Sequence, residues 1–154
     1  MRSRLLGTHV IAAALLCMLA LARPAAAQTD ADSAAIRQAA LDYIQGYYEG
    51  NAERMERALH PDLAKRIVRK DPQGRMDRLE QMSAMTLVQI TRMMAQRPVP
   101  EEARRDEVRI LDVFQNTASV RVDASAWIDY LHLAGWNGEW KIVNVLWEMR
   151  REPS

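Results

Sequence analysis

Cysteine is almost missing from this chain. Its single example, Cys17, lies in an N-terminal apolar stretch rather than in the body of the sequence. Arg2 and Arg4 precede that stretch, Val10 to Ala22 is unbroken by any polar residue, and Ala25-Ala26-Ala27 stands before Gln28. A basic start, a short apolar run and small residues at its end form the pattern of a secretory signal peptide. The run is too short to span a bilayer comfortably, and Leu16 before Cys17 is unlike a lipoprotein signal. The expected organisation is a signal peptide over residues 1–27, cleaved after Ala27, and a single domain over 28–154. That domain is expected to be periplasmic or secreted and to have no membrane association after cleavage. It keeps no cysteine, which excludes disulfides, thiolate metal sites and cysteine nucleophiles, so stability must come from an apolar core.

Histidine is scarce too. His9 belongs to the leader, and His60 and His132 lie far apart in sequence with no HExxH-type spacing, so no metal site is expected. There is no glycine-rich phosphate loop and no GxSxG elbow, and no cofactor is expected. An excess of one charge sign is also lacking. The formal charge is +1, and loss of Arg2, Arg4 and Arg23 with the leader takes it to −2, which excludes a nucleic-acid footprint.

Phenylalanine occurs once, and large aromatic area is concentrated instead in four tryptophans, all between Trp127 and Trp147. This segment reads WIDYLHLAGWNGEWKIVNVLW: two apolar-loaded arms around Asn137-Gly138, a strong hairpin signal. Before it, Ser119 to Ala126 alternates Val120, Val122, Ala124 and Ala126 with polar residues, and Glu107 to Val113 forms another apolar run, with a turn at Asn116.

The first half reads as helical. Ile36, Ala39, Ala40, Tyr43, Ile44 and Tyr47 form one stripe on a helix from about Asp30 to Glu49. Gly50 closes it and Asn51 caps a short second helix from Ala52 to about Leu59. His60-Pro61-Asp62 breaks that helix, and Leu63 to Lys70 is expected to be a short strand. After a turn at Asp71 to Gly74, a third helix is expected from Asp77 to Ala95, with Leu79, Met82, Thr86, Ile90 and Met93 facing inward and the methionines as core filler. The fold class is α+β: helices on one face of a curved antiparallel sheet of four successive strands, with the short strand added.

Asp129 is the most informative polar residue. Trp127, Asp129, Leu131 and Leu133 share one strand face, and Ile128, Tyr130 and His132 share the other. A carboxylate amid such residues needs a partner, a wet cavity or protonation. It is expected to face the interior, and Tyr43 lies on the buried face of the first helix. His60 is either a pocket group or the polar end of a helix satisfied by local backbone. The hairpin is apolar on both faces while helices can cover only one, so a homodimer through the sheet is expected. Candidates for that face are Ile128, Tyr130, Val143, Val145 and Trp147.

The segments Tyr43-Ile44-Gln45-Gly46-Tyr47-Tyr48-Glu49-Gly50-Asn51, Met55 to Asp62, and Gly138-Glu139-Trp140-Lys141-Ile142-Val143-Asn144 resemble the bacterial Putative lumazine-binding family. That family belongs to the nuclear-transport-factor-2-like superfamily, which includes ketosteroid isomerase. The resemblance covers roughly residues 33–149 and implies a cone-shaped half-barrel, its curved sheet wrapped around three helices, with a pocket at the wide end. Tyr43 and Asp129 fall where the isomerase has its oxyanion-hole tyrosine and its protonated aspartate. Its general-base aspartate would fall near Ile67, where there is no carboxylate. The expected function is an exported, non-catalytic domain binding a small, partly apolar molecule, with Tyr43, Tyr47, His60, Trp127, Asp129 and Leu131 as pocket candidates. The alternatives are an isomerase, dehydratase or cyclase using Tyr43, Asp129 and His60, or a dimeric interaction module without ligand.

Overall fold

The computed structural model describes the backbone of residues 25–150 and the side chains of residues 30–150. All but the last three residues of the expected signal segment therefore lie outside the described residues. The fold below is that of the compact unit that begins at Ser33, within the first helix.

Helix α1, Ala25–Glu49, buries Ile36, Ala40, Tyr43, Ile44 and Tyr48, a stripe spaced by three and four residues. Each fully buried isoleucine of this kind contributes roughly 1.5–3 kcal/mol. Asn51 N–H donates to the Gly46 carbonyl at 2.9 Å and Gly50 N–H to Tyr47 at 3.2 Å, with Gly50 at φ +68°, which is a Schellman closure. Asn51 then caps α2, Ala52–Ala58, accepting from Arg54 N–H at 3.0 Å. The joint is braced by Arg54 and Arg57, whose Nε atoms lie 2.8 and 3.2 Å from the Asp42 carboxylate. Burial alone would push the Asp42 carboxyl up, but hydrogen bonds from Arg54, Arg57 and Gln38 outweigh it and hold the group below the usual carboxylate range.

Strand β1, Leu59–Arg69, follows α2 without a loop. The helix ends ahead of His60-Pro61-Asp62 as expected, but the strand starts at Leu59 rather than at Leu63, ahead of Pro61. The strand runs through it, and its pairing with the last strand loses register between Leu59 and Ala64, where proline has no N–H to give the ladder. Strand β2, Arg78–Ser83, pairs antiparallel with β1 from Ala64↔Ser83 to Arg69↔Arg78. Here the expectation of a helix from Asp77 is corrected: helix α3 is only Ala84–Met94, capped by Ser83 Oγ accepting from Thr86 N–H at 3.2 Å. Its buried residues are Ala84, Leu87 and Thr91. Met76, Met85 and Met93 are 75, 71 and 64% exposed, so these methionines are not the core filler the composition suggested.

After a 3-10 turn at Glu101–Ala103 come β3 (Asp106–Phe114), β4 (Thr117–Ala124), β5 (Trp127–Trp136) and β6 (Glu139–Met149), an antiparallel meander. The β5–β6 turn has Asn137 and Gly138 at φ +52° and +81°, the left-handed pair that two-residue hairpins favour. The sheet order is β2-β1-β6-β5-β4-β3, with β1 and β6 parallel and every other pair antiparallel. Helix α1 is tied to one end of it: Tyr48 OH donates to the Arg105 carbonyl at 2.7 Å and accepts from Ser125 N–H at 2.9 Å. The result is an α+β half-barrel, a curved and unclosed sheet around three helices.

One register detail decides which way β6 faces. Leu133 pairs with Ile142 and His132 with Asn144, so Val143 is an extra, bulged residue. Inward parity therefore passes from Ile142 to Val145, both fully buried, and Val145 and the half-buried Trp147 are inner residues rather than outer ones. The apolar residues on the outer face of the hairpin are Ile128, Tyr130 and Leu146. Among the described residues no helix is long and apolar enough to cross a membrane.

Candidate functional site

Between α1, α3, β1, β5 and β6 lies a cavity of about 240 Å³. That is just below the ~300–1,000 Å³ common for ligand pockets, and suits a small molecule. Tyr43, Tyr47, Trp127 and Trp147 supply an aromatic wall, and Leu87 and Ile90 of α3 an aliphatic one. Tyr47 and Trp127 meet edge to face, with centroids 5.4 Å apart and planes at 87°. The cations at the cavity are Lys65 and, beside Trp147, Arg69, which also pairs with Glu80 at 3.0 Å.

The floor is polar and fully partnered. Asp129 is 0% exposed and accepts from Lys65 Nζ at 2.5 Å, Trp127 Nε1 at 2.6 Å and Tyr43 OH at 3.1 Å. Lys65 Nζ also donates to Tyr43 OH at 2.5 Å. The backbone explains the convergence. Trp127 and Asp129 are two apart on one face of β5, Tyr43 is on the buried stripe of α1, and Lys65 follows Leu63 on the inner face of β1. Asp129 thus meets three donors, whereas the isomerase resemblance implies a carboxyl that itself donates. Burial pushes the Tyr43 phenol well above its ordinary range, and the Asp129 carboxyl beside it adds to this. Burial pushes the Lys65 amine below the usual lysine value, even though Asp129 pulls it back up.

Lys65 is 4% exposed, and its ammonium is ringed by aromatic faces, 4.7 Å from the Trp147 centroid and 5.2 and 5.7 Å from those of Tyr43 and Trp127. Trp147 Nε1 is buried with no hydrogen-bond partner among the described residues, an orphan donor in the cavity wall.

Of the expected pocket residues, Tyr43, Tyr47 and Trp127 line the cavity and Asp129 lies directly behind it. Leu131 does not line it: it is fully buried, paired with Val120 and Val145 in the core. His60 is not among the lining residues either. It packs edge to face on Trp136 at 4.7 Å and accepts from Asp62 N–H at 3.1 Å, the locally satisfied arrangement. The Tyr43–Asp129–His60 trio of the enzyme alternative is therefore not assembled. Lys65, Arg69 and Trp147 are site residues that the sequence reading does not reach. A signal for Lys65 is nonetheless present, because Leu63, Lys65 and Ile67 alternate, placing a cation on an apolar strand face.

The half-barrel, with a cavity between its helices and inner sheet face, has the nuclear-transport-factor-2-like fold. The family profile described as Putative lumazine-binding matches residues 31–148, and the chain belongs to that family. No curated protein matches the sequence. Among solved structures, it is similar to an NTF2-like protein of unknown function from Shewanella baltica OS155, at 19% identity and TM-score 0.60, over 79% of this chain and 95% of that one. Another of unknown function, from Silicibacter pomeroyi DSS-3, matches at 18% identity and TM-score 0.58, over 79% of this chain and 98% of that one. A third, from Methylobacillus flagellatus KT, matches at 20% identity and TM-score 0.58, over 78% and 93%. At these identities the likeness establishes the fold.

Proposed function

We propose that this chain is an exported small-molecule-binding protein whose ligand occupies the aromatic cavity and meets Lys65 and Tyr43 on its floor, with Asp129 behind them. The observation that carries this is the cavity's make-up: apolar walls with a preorganised polar cluster at one end, the usual anatomy of a ligand site. A cavity left inside the cone also favours a ligand over a ligand-free interaction module. The family description points the same way. The ligand is small and partly apolar, with an acceptor group turned to Lys65.

The four tryptophans provide the test. Trp127 and Trp147 line the cavity, whereas Trp136 and Trp140 flank the hairpin turn. Titrating small aromatic alcohols and amides should move the indole N–H signals of Trp127 and Trp147 in an NMR spectrum and leave Trp136 and Trp140 in place. Signals that all stay put, or movement confined to the turn pair, would defeat the proposal.

Export rests on the leader pattern. The intact mass of exported protein should correspond to a chain starting at or near Gln28, and retention of Met1 in a membrane fraction would refute it.

The proposed assembly is a homodimer through the outer sheet face. Leu146 pairs across to Tyr130 and Arg66, and Val68 pairs with Leu79. Tyr130, Leu146, Val68 and Leu79 are all large exposed apolar residues on that face. Light scattering at micromolar concentration should give twice the chain mass, and Leu146→Glu should give the monomer. A monomeric parent protein would end the idea, since an interface of standard size, ~1,600 Å², normally holds at that concentration.

A further inference from the structure

The chain has three lysines, Lys65, Lys70 and Lys141, among 21 basic side chains, the rest being arginine. Where a buried carboxylate needs a permanent cation it uses arginine: Arg54 and Arg57 at Asp42, Arg121 and Arg150 at Asp123. At Asp129, by contrast, the cation is a lysine, and it lines the cavity. An arginine cannot give up its proton in a protein, but a lysine can, and then it is a nucleophile. A buried ion pair is also no better for stability than well-packed apolar residues, so stability alone does not explain this lysine.

We propose that Lys65 is a covalent anchor that captures a small aromatic or apolar aldehyde or ketone in the cavity as an imine. The proposal rests on the cavity being a ligand site and names the chemical class of its ligand.

Every part the step needs is within hydrogen-bond distance of Nζ. Asp129 Oδ1, at 2.5 Å, takes a proton from the ammonium and leaves the neutral amine. The nitrogen lone pair forms a C–N bond to the carbonyl carbon, and the carbonyl π pair moves to its oxygen. That oxygen is protonated through Tyr43 OH, 2.5 Å from Nζ and 3.1 Å from Asp129 Oδ2, as the nitrogen returns a proton. The carbinolamine hydroxyl then takes the proton held by Asp129 and leaves as water, while the nitrogen lone pair forms the C=N bond. The product is a protonated iminium opposite the Asp129 carboxylate, so the net charge is that of the starting ammonium–carboxylate pair. One water is released and no oxidant or reductant takes part. The walls fit such a ligand, since Trp127 and Trp147 offer ring faces and Leu87 and Ile90 add aliphatic surface. The depression of the Lys65 amine by burial raises its neutral fraction.

The test uses the full chain with benzaldehyde and sodium cyanoborohydride, which reduces an imine to a stable benzylamine, followed by peptide mapping. Lys70, highly exposed, and Lys141 are internal controls. Benzyl-Lys65 should exceed benzyl-Lys70 and benzyl-Lys141 by about tenfold or more. Tyr43→Phe should slow labelling of Lys65 by about tenfold or more, as expected on losing a positioned proton donor. In parallel, benzyl alcohol, which cannot form an imine, is added while the Trp127 and Trp147 indole signals are followed. If benzyl alcohol moves those signals but benzyl groups spread evenly over the three lysines and the N-terminus, the imine is refuted and the binding site stands. If neither probe engages the cavity, both fall. The wild-type label map decides the matter even if a Lys65 variant fails to fold.

Discussion

Replacing Asp129 with leucine is expected to lower the stability of the fold by about 3–5 kcal/mol, the cost of leaving a buried charge without its partner. Three donors converge on this carboxylate, and leucine accepts from none of them. The Lys65 ammonium, 4% exposed, is the costliest to strand, because its other hydrogen-bond partner, the Tyr43 hydroxyl, carries no compensating charge. Asp129→Asn should be milder, since one amide oxygen remains to accept, although its NH₂ then faces a donor. The decisive variant is Lys65→Met combined with Asp129→Leu. Removing both charges together should recover most of the loss, because apolar replacement of a whole buried pair is commonly neutral or stabilising. Urea unfolding of the parent, the two single variants and the double variant measures the coupling. A single-variant loss below about 1 kcal/mol would show that the pair is not held together in solution, since breaking a buried pair costs several times that.

Gly50→Ala is the second substitution with a large expected effect. A Cβ at Gly50 would stand 2.2 Å from Ala95 N and 2.3 Å from Ala95 Cα, and both are backbone atoms that cannot swing aside. The residue is also at φ +68°, which costs an L-residue roughly 1–2 kcal/mol by itself. Overpacking of this kind adds ~1–3 kcal/mol, so a total of about 2–5 kcal/mol is expected. Gly74 is the matched control, at φ +67° with nothing within 4 Å of where its Cβ would lie. Gly74→Ala should therefore show only the conformational part, and urea unfolding of both variants makes the comparison. Equal losses in the two would mean that the end of α3 does not close on the α1–α2 joint.

These two positions differ in how far sequence reaches. Gly50 is identifiable as a helix terminator because closure of α1 is local: its bonds run from Asn51 to Gly46 and from Gly50 to Tyr47. Its contact with Ala95 joins segments far apart in the chain, and no local pattern encodes it. Asp129 is identifiable as inward-facing because strand alternation has period two and its neighbours are apolar. That Tyr43 meets it came from the family resemblance, and the structure places the hydroxyl at 3.1 Å.

Local preference by itself determined the long first helix, the Asn51 cap, the Asn137-Gly138 hairpin and the inward set of β5, since each depends on residues within a turn or on simple periodicity. Pairing across the sheet decided the remainder. Arg78 to Ser83 carries no strand signal of its own, being almost wholly exposed, and is a strand because β1 offers it a free edge. One bulged residue, Val143, reversed the parity of β6 and turned Val145 and Trp147 inward. The parallel docking of β1 on β6, with Ala64 opposite Asn144 and Lys65 opposite Val145, put Lys65 on the same inner face as Asp129. The two residues are 64 positions apart, and only closure of the sheet makes them partners. Once both are out of water each charge requires the other, which is why the centre of this site belongs to the tertiary structure.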